Sequence, residues 1–123
     1  MPRFGNISNN LKGTCEASLQ EVLDEAINHF DFSIIWGHRG QQSQNEAFAS
    51  GNSQLKWPNS KHNSFPSKAF DVIPYPEGYD ANNQTFYKMA THILGAASEL
   101  GVRLQWGGHW NKPKDLAHFE LKE

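Results

Sequence analysis

An aspartate set inside a run of apolar residues asks for a partner, and Asp71 is such a residue. It interrupts Ala69-Phe70-Asp71-Val72-Ile73, a short β-branched and aromatic run that reads as a strand ended by Pro74. Side chains alternate along a strand, so Phe70 and Val72 share one face and Ala69, Asp71 and Ile73 the other. If that second face is buried, the carboxylate needs a hydrogen-bonding partner or a metal. His118 poses the same question between Ala117 and Phe119, and His62 stands in a polar loop with eight residues between it and Asp71. Two polar intrusions into apolar strands, with a histidine shortly before the first, suggest convergence on one cation. A catalytic zinc takes three protein ligands from His, Asp, Glu or Cys and keeps one position open for water. With a single cysteine, Cys15, the chain must draw such ligands from histidines and carboxylates. Spacing alone leaves the ordinary reading open. Any one of these three could be a hydrogen-bonded structural residue, and His62 a plain exposed loop residue.

The elements that would position them can be read along the chain. Residues 1–17 are polar and irregular and are expected to form an arm laid across the domain. Ser18-Leu19-Gln20-Glu21 has capping-box spacing. Val22, Leu23, Ala26, Ile27 and Phe30 then recur at helical intervals, which predicts a helix over 18–30. Phe32-Ser33-Ile34-Ile35-Trp36 reads as a strand, broken by Gly37-His38-Arg39-Gly40. A helix over about 41–50 follows and stops at Gly51. Residues 51–68, rich in Gly, Asn, Ser and Pro, read as a loop, and 74–78 as a turn. The longest helix spans 83–100, with Phe86, Met89, Ala90, Ile93, Leu94, Ala97 and Leu100 on its buried stripe and Gly101 as its C-cap. Val102 begins another strand, 106–110 turn, and 117–121 form the last strand. Helices and separated strands in this order fit an α+β fold, a small antiparallel sheet with flanking helices, in one domain over 1–123.

Composition narrows the function classes. The 123 residues, 12% of them aromatic with four Trp and eight Phe, suffice for one small core. Net charge is −2 without a basic stripe, which argues against nucleic-acid binding. Mean hydropathy is −0.68, and no apolar run approaches the roughly 20 residues of a membrane span. The lone Cys15 cannot form an internal disulfide and reads as a small buried residue. The first residues, Met1 to Gly13, lack the apolar stretch of a signal peptide, so synthesis in the cytoplasm is expected.

The residues also resemble a known family. Ser60-Lys61-His62, followed by Ala69-Phe70-Asp71, is similar to the Ser-x-His…Ala-x-Asp motif of zinc D-alanyl-D-alanine carboxypeptidases and L-alanyl-D-glutamate endopeptidases. Trp106-Gly107-Gly108-His109-Trp110, then Asp115-Leu116-Ala117-His118-Phe119-Glu120, resembles the family's Trp-Gly-Gly-x-Trp and acidic-x-x-His-Phe-Glu motif. Gly37-His38-Arg39 resembles its Gly-Tyr-Arg segment. The three occur in the family's order and span residues 33–121.

The resemblance implies roles. His62, Asp71 and His118 would ligate one zinc ion. Asp115 would be the general base, and Arg39 the cation that meets the substrate carbonyl or carboxylate and steadies the oxyanion. Such chemistry suits the residue types: zinc acidifies its water and polarises a carbonyl, a carboxylate moves the proton, and a fixed cation stabilises developing charge. Glu120 lies two residues after His118 on the same strand face, where it could orient a ligand imidazole from behind; an edge ion pair is the other reading. Ser60, His109 and Trp110 are candidate substrate contacts. The loop holding Phe65, Pro66 and Ser67 is longer than the family's common form by about two residues, a change that costs little entropy. His109 stands where relatives often carry an acid, and Asp115 where many carry Glu. His29, His38 and His92 belong to no motif. Trp106, Trp110, Trp57 and Tyr75 flank the site in sequence, either as core or as a cleft wall.

The implied fold is the Hedgehog/D,D-peptidase type. The implied activity is hydrolysis of peptidoglycan stem peptides, most like compact bacteriophage endolysins that cut between L-Ala and D-Glu. Such a lysin, taken as a monomer, would reach the wall after a membrane-permeabilising partner releases it. A D-Ala-D-Ala carboxypeptidase or dipeptidase, and a zinc-bearing wall-binding module without turnover, are the alternatives. Asp115 argues against the last, which has no need of a base.

Overall fold

The computed structural model describes residues 2–111 and 114–122. Four helices, α1 (Asn6–Lys12), α2 (Ala17–Ala26), α3 (Gln41–Ala49) and α4 (Asn83–Leu100), accompany four strands, β1 (Phe32–Trp36), β2 (Ala69–Pro74), β3 (Leu104–Trp106) and β4 (His118–Leu121). The strands form one antiparallel sheet in the order β1-β2-β4-β3, as expected of an α+β chain.

Burial explains the elements. On α4, Phe86, Met89, Ala90, Ile93, Ala96 and Ala97 are buried, a stripe of helical period facing the core. Asn82 caps its start by accepting from the Thr85 amide, and Gly101 ends it at φ 72°, a left-handed conformation that glycine adopts freely. Leu100, expected on the stripe, is 43% exposed in the last turn, and Ala96 takes a buried place instead. α2 turns Leu19, Val22, Leu23 and Ala26 toward α4, and both helices cover the sheet face that carries Phe70, Val72 and Phe119. Phe70 and Phe119 stack at 5.3 Å.

Three local expectations need correction. α2 begins at Ala17 with Glu16 at its N-cap and no side-chain cap, so Ser18 lies inside the first turn rather than starting it. The chain is tied down just earlier: Cys15 bridges Ser67, Glu16 donates its amide to the Ser67 carbonyl, and Gln20 donates to the Cys15 carbonyl. At the other end, hydrogen bonds tighten to i→i−3 at Asn28 and His29, which closes the α-helix at Ala26 rather than at residue 30. The amino-terminal arm, read as irregular, contains α1. That helix has Ser8 as its buried residue and lies along β1. Ser8 Oγ accepts the Ile34 amide at 3.0 Å and Thr14 Oγ1 accepts the His38 amide at 2.8 Å. The arm thereby occupies hydrogen-bonding groups of an edge strand.

Candidate metal centre

Sheet register brings two of the three expected donors face to face. Asp71 pairs with His118 across β2 and β4, so their side chains leave the same sheet face as neighbours. The opposite face of β2 is the apolar core, and on its own face Asp71, among Arg39, His62 and His118, is 9% exposed although a carboxylate. The third donor arrives on a 3-10 turn, Lys61–Asn63. Ser60 Oγ accepts the His62 amide at 3.2 Å and Asn63 Oδ1 accepts the Ser60 amide at 3.0 Å, a reciprocal cap that fixes the turn. Ser60, a candidate substrate contact, spends its hydroxyl inside this cap.

His62, Asp71 and His118 offer ligand atoms that all lie within 4.8 Å of one another and could hold a metal ion. His62 Nε2 is 3.1 Å and His118 Nδ1 2.9 Å from the same oxygen, Asp71 Oδ1. A tetrahedral ion with bonds of about 2.0–2.2 Å sets its donors roughly 3.3 Å apart, close to these separations.

Proton bookkeeping shows why a cation fits. His62 Nδ1 is 2.8 Å from the Gly37 carbonyl, which can only accept, so Nδ1 carries the proton. Nε2, facing a carboxylate oxygen, then needs either a second proton or a cation between the two. His118 is flanked by carboxylates on both sides, Asp71 Oδ1 at Nδ1 and Glu120 Oε1 at Nε2, 2.8 Å away. A neutral imidazole has one N–H for these two acceptors. One positive ion between the two rings and Asp71 removes both mismatches. Without it, burial would push the His118 pKa down, but its hydrogen bonds to Asp71 and Glu120 outweigh this and hold it up at about 9. Burial would likewise raise Asp71, yet the two imidazoles hold it well below the usual carboxylate range.

Glu120 lies beside the His118 imidazole, on the side away from Asp71. Its other oxygen meets Lys61 Nζ at 3.2 Å. Burial would raise its pKa, but His118 and Lys61 bring it down. Arg39 is 7% exposed and packed into the site rather than reaching outward. Its guanidinium lies 4.7 Å from the Trp36 ring centre, Nη2 donates to Asp71 Oδ2 at 3.4 Å, and Nη1 donates to Gln44 Oε1 at 3.1 Å. Burial lowers its pKa, and Asp71 chiefly offsets that. An irregularity between Ile34 and Trp36 sets Trp36 opposite Asp71, and such bulges re-aim the chain beside functional sites. Gly37 has to be glycine: a Cβ would run into Thr14 Oγ1 and the Leu11 carbonyl of the arm.

Asp115 is half-buried. Its Oδ1 accepts the Ala117 amide at 3.3 Å, and its own amide donates to the Gly107 carbonyl. A Cβ on Gly107 would strike the Asp115 carbonyl, which accounts for glycine in Trp-Gly-Gly. Burial, and next the charge on Asp71, push the Asp115 carboxyl pKa up.

The aromatic residues divide. Trp106 belongs to the core, its Nε1 donating to the Leu116 carbonyl. Trp110 is half-buried, with its ring centre 5.2 Å from that of His118, and walls the donors. His109 is exposed and edges against Trp106 at 5.0 Å, outside the group of donors. Trp57 is half-buried and Tyr75 exposed. His29 and His92 stack on each other on the α2–α4 surface, and His38 bonds the Ser64 carbonyl. Sequence reasoning missed Trp36, Gln44, Lys61 and Asn63. Asn63 alone carried a signal, the Ser60-x-x-Asn63 cap spacing.

A small antiparallel sheet that sets two histidines and an aspartate around one cation position, with a carboxylate held close by, defines a metallopeptidase-like α+β domain. Comparison with known proteins gives the family. The profile of the phage L-alanyl-D-glutamate peptidases matches residues 2–122, and the chain belongs to that family. It is 33% identical to the L-alanyl-D-glutamate peptidase of Escherichia phage T5, over 98% of this chain and 89% of that one. Its fold matches the crystal structure of the Serratia marcescens L-Ala D-Glu endopeptidase ChiX with a TM-score of 0.83. That match has 27% identity over 98% of this chain and 91% of the other.

Proposed function

We propose that this chain is a zinc-dependent endopeptidase that cuts peptidoglycan stem peptides between L-Ala and D-Glu, and that it serves as an endolysin. The observation that carries this reading is the convergence of three donors. His62 Nε2, Asp71 Oδ1 and His118 Nδ1 lie within 4.8 Å of one another, where one cation can replace the extra protons the two rings would otherwise need, and membership of the peptidase family supports a hydrolytic use of such a centre.

His62, Asp71 and His118 would hold the zinc. When bound, it supplies Lewis acidity toward a peptide carbonyl and makes water more acidic. The chain's own residues do the rest. Asp115 takes a proton from the attacking water and returns it to the leaving amine. Glu120 accepts from His118 Nε2 and so keeps Nδ1 turned toward the ion. Arg39 sets a buried positive charge beside Asp71, where it steadies negative charge building on the carbonyl oxygen. Trp110 forms a wall for the stem peptide. His109, on the exposed rim, is the nearer candidate for a further substrate contact, while Ser60 contributes through the turn that carries His62.

Among the described residues no helix is long and apolar enough to cross a membrane. The reading has the protein acting as a monomer on the wall once a membrane-permeabilising partner has let it through. The test is digestion of purified peptidoglycan with zinc-loaded protein and identification of the new ends. New amino-terminal D-Glu is expected. Free D-Ala would replace this reading with a carboxypeptidase, and an unchanged polymer with intact metal content would replace it with a binding module.

A further inference from the structure

Gln44 is the feature that the proposed mechanism does not use. It sits on α3, is 0% exposed, and meets four polar partners. A buried amide so fully engaged is held in one orientation. Its two ends do different things. Nε2 donates to Ser53 Oγ at 3.0 Å and to the Leu55 carbonyl at 2.6 Å, tying down the loop after α3. Oε1 accepts from Arg39 Nη1 at 3.1 Å and from Asn63 Nδ2 at 3.0 Å.

Each partner of Oε1 leads to one donor of the cation site. Through its other terminal nitrogen, Arg39 holds Asp71 Oδ2, which leaves Oδ1 to face the two imidazoles. Asn63 closes the cap of the turn that carries His62, and its Nδ2 also donates to the Arg39 carbonyl. The Arg39 amide in turn donates to the His62 carbonyl at 2.7 Å. Arg39 Nε is buried without a hydrogen-bond partner, so the guanidinium is located by its two terminal nitrogens and by Trp36. One amide oxygen therefore stands behind two of the three donors. His118 is independent of it, being fixed from the other side by Glu120.

We propose that Gln44 is a positioning residue of the metal centre: its amide oxygen sets Asp71 through Arg39 and His62 through Asn63. The inference rests on the zinc reading above. Loss of groups that orient metal ligands costs about 10–100-fold in metal affinity, and that is the size expected here.

The test measures zinc affinity by competition with a chromophoric chelator, beside melting temperature, for wild type, Gln44→Met, Gln44→Glu and Ser53→Ala. Gln44→Met fills the space without either polar end. It should lose zinc affinity about 10–100-fold. Ser53→Ala and Gln44→Glu disturb the donor end and leave an acceptor oxygen for Arg39 and Asn63. Both should melt earlier yet bind zinc within about threefold of wild type, a small fraction of the 10–100-fold orienting effect. If Gln44→Met melts earlier but binds zinc as wild type does, Gln44 is a packing residue and the proposal is overturned. If Gln44→Met fails to fold, Gln44→Glu decides: wild-type zinc affinity supports the acceptor role, and a tenfold loss overturns it. A wild-type protein that binds no zinc would sink the metal reading itself, a different failure from equal binding by wild type and variant.

Discussion

Stripping the cation should make folding stability depend on pH within a defined window. Without an ion, His118 needs a proton on both nitrogens to satisfy Asp71 Oδ1 and Glu120 Oε1. Burial works against that charge, but the two carboxylates prevail and hold its pKa at about 9, against 6.5 for an unperturbed histidine. A folded-state pKa raised in this way contributes stability that is complete below the unfolded value and drains away as pH climbs through the folded one. The window is therefore pH 6.5 to about 9. A rise from 6.5 to about 9 corresponds to a ceiling of about 3 kcal/mol. The His118 side chain is 10% exposed, so solvent screening takes little from that figure. For a chain of this length the ceiling amounts to about 10 °C in melting temperature. Asp71 adds nothing in the same window. Its pKa is depressed, so its contribution is complete above the ordinary carboxylate range and is lost only in acid. The assay is thermal melting of chelator-treated protein at both ends of the window, repeated with excess zinc. Zinc held by His118 would displace the Nδ1 proton, so the loaded protein should show no such fall. Stability of the stripped protein that stays flat or rises across the window would refute the reasoning, as would an equal fall with zinc present.

Other outcomes follow from the same geometry. Asp115→Asn should lower kcat by about 10²–10⁴-fold with bound zinc unchanged, measured by turnover and metal content. Because the base must be ionised to take the proton, wild-type kcat/KM should rise with pH through a carboxylate limb. The variant's residual activity should lack that limb. Gly37→Ala should destabilise by about 1–3 kcal/mol through overpacking against Thr14 and Leu11, read from denaturant unfolding; an unchanged midpoint would show that the arm gives way freely. Burial raises the Cys15 thiol to about 11 against a partial offset from Thr14, so native protein at mildly alkaline pH should resist iodoacetamide and unfolded protein should react. Equal labelling rates would contradict the buried thiol.

Much of the donor set was legible because strand alternation and apolar flanks are local signals. Asp71 stood out against Phe70 and Val72, and His118 against Ala117 and Phe119, before any pairing was known. Register did what spacing could not. It set Asp71 opposite His118 and decided that Glu120 lies behind an imidazole. The long helix was legible from its stripe and Gly101. α1 was not, since it is mostly polar, leaves Ile7 exposed, and is attached by the Ser8 hydrogen bond and by Leu11 packed against the core rather than by a periodic apolar face. Gln44 was equally silent: an amide on a helix looks like a surface residue until the tertiary fold closes over it. Trp106 and Trp110 share one motif, and only packing sorted the first into the core and the second beside His118.

The amino-terminal helix has a further consequence for anyone who trims this protein. Ser8 caps an amide of the outermost ribbon, and Thr14 caps that of His38 just beyond it, next to the glycine whose carbonyl receives the proton of His62. Cutting the chain back to residue 16 would bare a ribbon able to zip onto another copy. It would also slacken the perch of one metal donor, so clumping and loss of zinc should set in together.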